Sequence, residues 1–545
     1  MPQTGQIMNA KRQRQACDLC YRRKFKCDGA APQCSQCRVY DSECTYVAPR
    51  RKRAKRPVPA DNNSQSLSRA APGAGIGNSD IGLGQMPKSG WVSERITLDD
   101  QGRQLELPPS RIVYPLVDTF LGSVNCVLPL YDDAVLLEAV RLWYSMPSCR
   151  TRTTWASINV VMALAHCCDQ GLSEQSELFV AESVGKAQSV LTDLIMGDLR
   201  LDSLQVILGL VLSFQRMPNM RPAAVLISTA FRLIHEMGIH RREGYEGISN
   251  AEALQRRRVF WVAYILDRDI SMRTRQPPVH QDANIDLDLP PPVYSSTDRA
   301  GFVDAGDGRT HFNVFRSRAQ LARIQGQVHE CIFSVQGRSR PAGEASLEIA
   351  RLRGLLVRWR AQIPATLGAE ALMRTRGGTV LPKALCTLYA TSLSLLGQLT
   401  RVNAIEFDWV NRLLRHARNV RAGLPSVPPA SLEGWDALVE ESRSFVMLFL
   451  SIPQKHIAFG RLYCCSLISG LMFLSANCIG KSDQAHYESD QQLRLQAKGF
   501  IDEFSQLSRH DGILAAQKAY AELDWHVLDV SRMEHVTIQS LGYGI

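Results

Sequence analysis

Six cysteines lie within the first 44 residues of the 545-residue chain, spaced Cys17-x2-Cys20-x6-Cys27-x6-Cys34-x2-Cys37-x6-Cys44, so that one C-x2-C-x6-C unit is written twice. Thiolate sulfur is a soft ligand suited to zinc, and tetrahedral zinc takes four such ligands. Two ions need eight coordination positions, and six sulfurs supply eight only when two of them bridge both metals. The repeat favours this shared centre, with two Zn2+ per chain, over one four-cysteine site with two spare thiols. A C-x-x-C pair suits metal when its second half opens a helical turn, whose amides favour the thiolate form. Asp18 and Ser35 are placed to cap such turns.

Charge gathers around the same residues. Between Cys20 and Cys27 the chain reads Tyr21-Arg22-Arg23-Lys24-Phe25-Lys26, four cations in six positions, whereas the matching stretch of the second unit carries only Arg38 beside Val39 and Tyr40. The first turn therefore faces a polyanion and the second braces it. Lys and Arg outnumber Asp and Glu by 63 to 53, a net +10, and residues 1–60 hold 14 basic and 4 acidic side chains, which is the whole excess. Two divalent ions on six thiolates subtract two charges and leave the head strongly positive. Two basic runs flank the cysteines, Lys11 to Arg14 and Arg50-Arg51-Lys52-Arg53-Ala54-Lys55-Arg56. The second is expected to serve nuclear import and to add phosphate contacts. The N-terminus, Met-Pro-Gln-Thr-Gly-Gln, has no apolar core of a secretory signal, so a reducing compartment is expected, where clustered cysteines hold metal.

The run Cys17-Asp-Leu-Cys20-Tyr-Arg-Arg-Lys-Phe-Lys-Cys27-Asp28, with Pro32 two residues before Cys34, resembles the DNA-binding domain of the fungal binuclear zinc-cluster (Zn2Cys6) transcription factors. The resemblance implies that Cys17 and Cys34 bridge the two ions, with Cys20, Cys27, Cys37 and Cys44 terminal. It implies that Lys24 and its neighbour Arg23 enter the major groove and that the half-site is a CGG triplet. The chemistry agrees, because a cation aimed at guanine O6 and N7 is the commonest specific contact. Arg22 and Lys26 are assigned to phosphates.

Residues from Pro57 to about Leu107 are rich in Pro, Gly, Ser and Asn, and read as a disordered tether. No a/d heptad occurs between residues 45 and 107, so a zipper dimer is not expected there. Either the protein binds DNA as a monomer or it forms a homodimer through the downstream domain. Beyond residue 108 apolar spacing is helical almost throughout, as in Val180, Val184, Ala187, Leu191 and Leu194, and in Leu352, Leu355, Leu356 and Trp359. Pro222 is expected to open a helix that closes at Gly238, with Val225, Leu226, Ala230, Leu233 and Ile234 on one side. Breaks are expected near Pro290–His311, Pro341–Ala345, Gly377–Pro382 and Leu424–Trp435. Leu462–Ile479 is a long uncharged run, but Ser, Asn, Gly and paired Cys dilute it, so a buried helix is expected and no membrane span.

A second resemblance covers roughly residues 110–330. The segment from Arg256 through Val259-Phe260-Trp261-Val262-Ala263-Tyr264-Ile265-Leu266-Asp267-Arg268 to Pro277-Pro278 and Asp286-Leu287-Asp288-Leu289-Pro290 is similar to the fungal-specific transcription factor domain, as are Ala230 to Ile234 and Gly238-Ile239-His240. Members usually have Gly-Arg before the Pro-Pro pair, where this chain has Arg275-Gln276. Such domains imply regulation of the DNA-binding head, not catalysis. Phe260, Trp261, Tyr264 and Ile265 read as a core stripe with Arg257, Arg258, Asp267 and Arg268 around it; the alternative is an effector pocket lined by the aromatics.

Catalytic readings fail. His235 and His240 are five apart, which places them on different helix faces and excludes the H-E-x-x-H arrangement. No G-x-S-x-G elbow, P-loop or dinucleotide fingerprint occurs. Cys167-Cys168 and Cys464-Cys465 read as buried residues. Glu522 to Asp529 alternates acidic and apolar residues as activation segments do, and equally suits a terminal packed helix.

The expected architecture is a small two-helix binuclear-cluster domain and a large all-α regulatory domain joined by a disordered linker. Its parts are a basic arm over 1–16, the cluster at 17–44, a linker over 45–107, the helical domain over 108–480 and a C-terminal helical segment over 481–545. The expected function is sequence-specific nuclear DNA binding that regulates RNA polymerase II transcription of a metabolic or secondary-metabolite pathway, with double-stranded DNA and the transcription machinery or coregulators as partners. The competing reading is a zinc module for protein interaction, or a corepressor without base readout.

Overall fold

The computed structural model describes, in an N-terminal unit (Met1–Met86), Cys17, Cys20 and residues 27–30, 32–34, 37–38 and 43–45. In a C-terminal unit (Pro87–Ile545) it describes residues 105–525 apart from 170–173, 218, 293–297, 306, 308, 375–379, 402–406, 426–432, 453–456, 481–485 and 508–516.

The C-terminal unit is helical because its apolar residues recur at three and four and its helix ends carry their own stop signals. Among the described residues, seventeen α-helices run from α1 (Ser110–Phe120) to α17 (Tyr487–Leu507), and residues 517–525 are also helical. The first half of the unit packs around α6 (Leu201–Phe214), whose residues from Ser203 to Phe214 are all buried. A helix apolar on every side belongs in the middle of a core. Against it lies α3 (Arg152–Asp169), so close that a Cβ on Gly209 would come within 2.3 Å of Val160 Cγ1.

The next helix pair shows how local sequence sets the ends. Pro222 stands in the first turn of α7 (Arg221–Glu236), and Gly238 takes φ +69° just beyond it. Leu226, Ala230, Leu233 and Ile234 face inward as expected, but Val225 points out and is 57% exposed. The periodic run from Val180 to Leu194 is not one helix. It breaks between α4 (Glu174–Gln188) and α5 (Leu191–Met196), where the Ser189 amide bonds back to the Gly185 and Lys186 carbonyls and Val190 leaves helical geometry. Both helices keep their buried face, so the apolar period runs across the break.

Helix α8 (Asn250–Thr274) begins with a serine N-cap, in which the Ser249 hydroxyl accepts the Glu252 amide at 3.2 Å. Phe260, Trp261, Tyr264 and Ile265 are buried core, not the lining of an effector pocket. Asp267 and Arg268, expected to surround the stripe, are instead 1% and 2% exposed and paired with each other. The Asp267 carboxylate accepts the amides of Val279 and His280 at 3.0 and 3.4 Å, while the Arg268 guanidinium donates to the His280 carbonyl at 2.8 Å and to Asp282 at 2.6 Å. Tyr264 donates its hydroxyl to Asp282 and the Trp261 indole donates to the Asp288 carbonyl. The motif side chains thus strap the loop after the helix to the helix itself.

Beyond α8 the chain forms a short antiparallel hairpin, Phe302–Asp304 with His311–Asn313, within the break expected near Pro290–His311. Asn313 then caps α9 (Val314–Ile332), accepting the Arg316 amide at 2.8 Å. Helix α11 (Ala342–Arg360) follows Pro341 and buries Leu352, Leu356 and Trp359. Three long helices, α13 (Val380–Leu399), α15 (Trp435–Ser451) and α16 (Ile457–Gly480), form the second core with α9 and α11. Val380–Leu399 and Leu462–Ile479 are long and apolar enough to cross a membrane, yet 61% and 72% of them is buried against the rest of the unit. They read as core helices. In the C-terminal helical stretch, Tyr520, Leu523 and Asp524 are buried, and Asp524 pairs with Arg494, which is itself 2% exposed.

Arg275 ends α8 in the left-handed region at φ 57°, ψ 23°, where a Cβ costs about 1 kcal/mol and glycine costs nothing. This is the place where the Arg275-Gln276 pair departs from Gly-Arg. Its guanidinium lies 5.9 Å from the Phe333 ring centroid, a contact that offsets part of the strain. Arg275→Gly should raise stability by about 0.5–1 kcal/mol in chemical denaturation, and Arg275→Val should lower it by about 1–2 kcal/mol.

Candidate metal centre and nucleic-acid interface

The N-terminal unit has a core made of sulfur. Cys17, Cys20, Cys34 and Cys37 are fully buried with Cys27 and Cys44 packed against them. Cys20 and Cys37, the second cysteines of the two C-x-x-C pairs, both sit in helical turns. The Cys37 amide donates to Cys34 Sγ at 3.4 Å, as expected of a turn whose backbone faces its thiolate. Gly29 takes φ +64° directly after Cys27-Asp28 and turns the chain toward the second unit.

The sulfur spacing tests the metal. Cys17 to Cys34 is 3.8 Å, Cys17 to Cys37 is 3.5 Å and Cys20 to Cys34 is 3.7 Å. A disulfide would need about 2.05 Å. Two thiolates on one tetrahedral zinc, with Zn–S about 2.3 Å, stand about 3.8 Å apart. The six ligand atoms fall into two sets of four, Cys17, Cys20, Cys27 and Cys34 in one and Cys17, Cys34, Cys37 and Cys44 in the other, each within 4.8 Å. Cys17 and Cys34 belong to both sets. The donors therefore fit two ions that share an edge, and one four-cysteine site with idle thiols does not describe them.

The thiols also polarise one another. Burial raises the Cys17 thiol, but the Cys20 amide and the thiols of Cys20, Cys37 and Cys34 outweigh it and bring Cys17 down to about 6. Burial pushes Cys20 and Cys37 up, reinforced by Cys17, Cys34 and Cys27 at Cys20 and by Cys17, Cys34 and Cys44 at Cys37. Within this cluster the Cys17 thiolate is favoured over those of Cys20 and Cys37, and a cation at the centre would favour ionising these two.

The basic residues assigned to DNA, Arg22, Arg23, Lys24 and Lys26, and the run from Arg50 to Arg56 lie outside the described residues. So do Asp18 and Ser35. Elsewhere, His235 and His240 are brought together despite their five-residue spacing. The chain turns back at Gly238, and the two rings lie 4.9 Å apart with His280 beside them. The expectation of separate helix faces is corrected there, because His240 is not on the helix. His280, 45 residues from His235, was not visible from sequence spacing. The sequence carries no signal for it beyond its position after Pro277-Pro278.

Comparison with known proteins agrees with these elements. Residues 15–53 match the Fungal Zn(2)-Cys(6) binuclear cluster domain and residues 142–361 the Fungal specific transcription factor domain. The chain is 32% identical to an ABC-transporter-regulating transcription factor of Aspergillus fumigatus over 405 residues, covering 72% of this chain and 44% of that protein. A protein of the same description from Aspergillus oryzae is 30% identical over the same shares. The Fusaridione A cluster transcription factor fsdR of Fusarium heterosporum is 30% identical over 49% of this chain and 51% of its own. The chain thus spans about half the length of these curated relatives.

Substituting a shared sulfur should differ from substituting an unshared one. Cobalt-loaded full-length Cys17→Ala or Cys34→Ala should lose nearly all thiolate-to-cobalt absorption, whereas Cys44→Ala should keep about half, read by titration of the charge-transfer band.

Proposed function

The chain carries both domains of the fungal Zn(2)-Cys(6) transcription factors, and we propose that it is a sequence-specific DNA-binding regulator of RNA polymerase II transcription acting in the nucleus. The observation that supports this most is the pair of four-sulfur sets sharing Cys17 and Cys34, in a head that holds the chain's whole net charge of +10. In this reading Cys17 and Cys34 bridge the two zinc ions and Cys20, Cys27, Cys37 and Cys44 complete the shells. Zinc supplies cross-linking and no reaction. Metal binding supplies the folding energy that a thirty-residue segment cannot obtain from a hydrocarbon core.

Lys24 and Arg23 then donate to the O6 and N7 acceptors of guanine in CGG-type triplets. Arg22, Lys26 and the run Arg50, Arg51, Lys52, Arg53, Lys55 and Arg56 take phosphates, and the same run serves import. Each neutralised phosphate steepens the salt dependence of binding by a slope of about 0.9. Residues 108–480 regulate the head and receive coregulators or the transcription machinery, and a homodimer through this domain would pair two half-sites where the linker has no heptad. The names of the similar proteins, which concern ABC-transporter regulation and the Fusaridione A cluster, support transporter or secondary-metabolite genes as targets.

Base readout and phosphate contact separate experimentally. Lys24→Ala should lose about 1–3 kcal/mol on a CGG duplex and narrow its preference over a scrambled one. Arg51→Ala should weaken both duplexes alike and reduce the salt slope by about 0.9. Fluorescence anisotropy across a salt series measures both. If neither change alters binding to any duplex, the protein-interaction reading replaces this one.

A further inference from the structure

We propose that His235, His240 and His280 form a proton-sensitive latch: while neutral, the three rings hold the loop over residues 277–290 against the end of α7, and acidification releases it. The rings come from three places, the last turn of α7, the turn after Gly238 and the loop that follows α8. His235 Nε2 and His280 Nδ1 share a hydrogen bond of 2.8 Å. The ring centroids stand 4.9 Å (His235 to His240), 4.9 Å (His235 to His280) and 5.8 Å (His240 to His280) apart. Phe231 stacks on His280 at 5.2 Å and Phe260 meets it edge-on at 6.1 Å, so apolar rings close the other sides of His280.

The hydrogen bonding leaves no place for an added proton. One proton fits between His235 Nε2 and His280 Nδ1, because one nitrogen must donate and the other accept. His280 Nε2 and His240 Nδ1 are buried and have no partner among the described residues. A charged imidazole carries N–H on both nitrogens, so protonating His280 or His240 would leave a buried cationic N–H without an acceptor. His240 and His280 are 6% and 2% exposed, whereas His235 is half-buried and is where protons have access.

The surrounding charges set the direction. Burial holds all three histidines below the ordinary imidazole value. Arg232 of α7 and Arg241 of the turn add to it at His235, and His235 and Arg241 add to it at His240. At His280, burial, His235, His240 and Arg268 of α8 bring the ring down to about 3. Against them stand Asp286 near His240 and Asp282 near His280, both in the loop. Asp282 also takes the Arg268 guanidinium and the Tyr264 hydroxyl, and Arg242 of the turn pairs with Asp288. Each ring regains a value of about 6.5 once the loop opens. The open state then binds more protons, so the latch is fully held above about pH 6.5 and weakens as pH falls below it. A histidine moved from about 6.5 to about 3 makes opening about tenfold more frequent at pH 5.5 than at pH 7.5, and His235 and His240 add to this. Asp267, which burial lifts, works in the opposite sense, so the test needs variants that change histidine alone.

Hydrogen exchange of the full-length protein, read by mass spectrometry, tests the latch. The quantity is the protection of peptides spanning residues 277–290, where the Val279 and His280 amides are bonded to Asp267, after correction for the intrinsic dependence of exchange on pH. Wild type should lose protection about tenfold or more between pH 7.5 and pH 5.5, and in His280→Gln that loss should shrink about tenfold. His240→Gln should also lose less than wild type. Wild-type protection that holds across this range, or an equal loss in wild type and both variants, would overturn the latch. If His280→Gln does not fold, the wild type and His240→Gln still decide. DNA binding is not among the readouts, so the result is independent of the assigned function.

Discussion

Ionising six thiolates in a space with no other core is the constraint on which the DNA-binding end depends. Among the described residues of the N-terminal unit, the buried apolar atoms are those of cysteine alone. A segment of this size cannot bury enough hydrocarbon to offset its chain entropy. Metal–sulfur bonds must supply what packing supplies elsewhere, and they do so only when the sulfurs are charged. The sulfur separations of 3.5 to 3.8 Å show the chain already bent to the shape that two ions demand.

The helical unit solves its own version of the same problem with an ion pair. Asp267 and Arg268 are adjacent in sequence and both buried, an arrangement whose desolvation cost is high unless every lone pair and proton is used. Here the carboxylate takes two loop amides and the guanidinium takes a loop carbonyl and Asp282, so most of that cost is met and, of these groups, only Arg268 Nε is left without a partner among the described residues. Removing either partner would leave a charge in the core and release the loop, a loss of roughly 3–5 kcal/mol. The pair therefore defines where residues 277–290 lie, and His280 with them.

Much of this was legible in the sequence. The doubled cysteine unit contained the metal count, because coordination number is arithmetic on ligands. Helix ends were legible where one residue acts alone, as at Pro222 and Gly238. The break at Ser189 was not, because the apolar period runs on across α4 and α5. Val225 was misplaced because a one-residue error in phase rotates a side chain by about 100°. Asp267 and Arg268 read as surface for the ordinary reason that charge prefers water. Their burial depends on loop amides twelve and thirteen residues away, and no local pattern reports that. The meeting of His235, His240 and His280 is illegible for the same reason.

The division of charge adds a last step. Since residues beyond 60 carry no net charge, the long-range field that draws the protein to a polyanion comes from its N-terminal end. A body with net positive charge would hold any duplex through phosphate contacts and dilute the base preference proposed for the N-terminal end, because phosphate affinity carries no sequence information. A strongly negative body would slow encounter. Electrical neutrality lets the helical domain be large without entering the competition between specific and non-specific DNA. The regulation proposed for it would then act through shape or partner contact rather than through its own field.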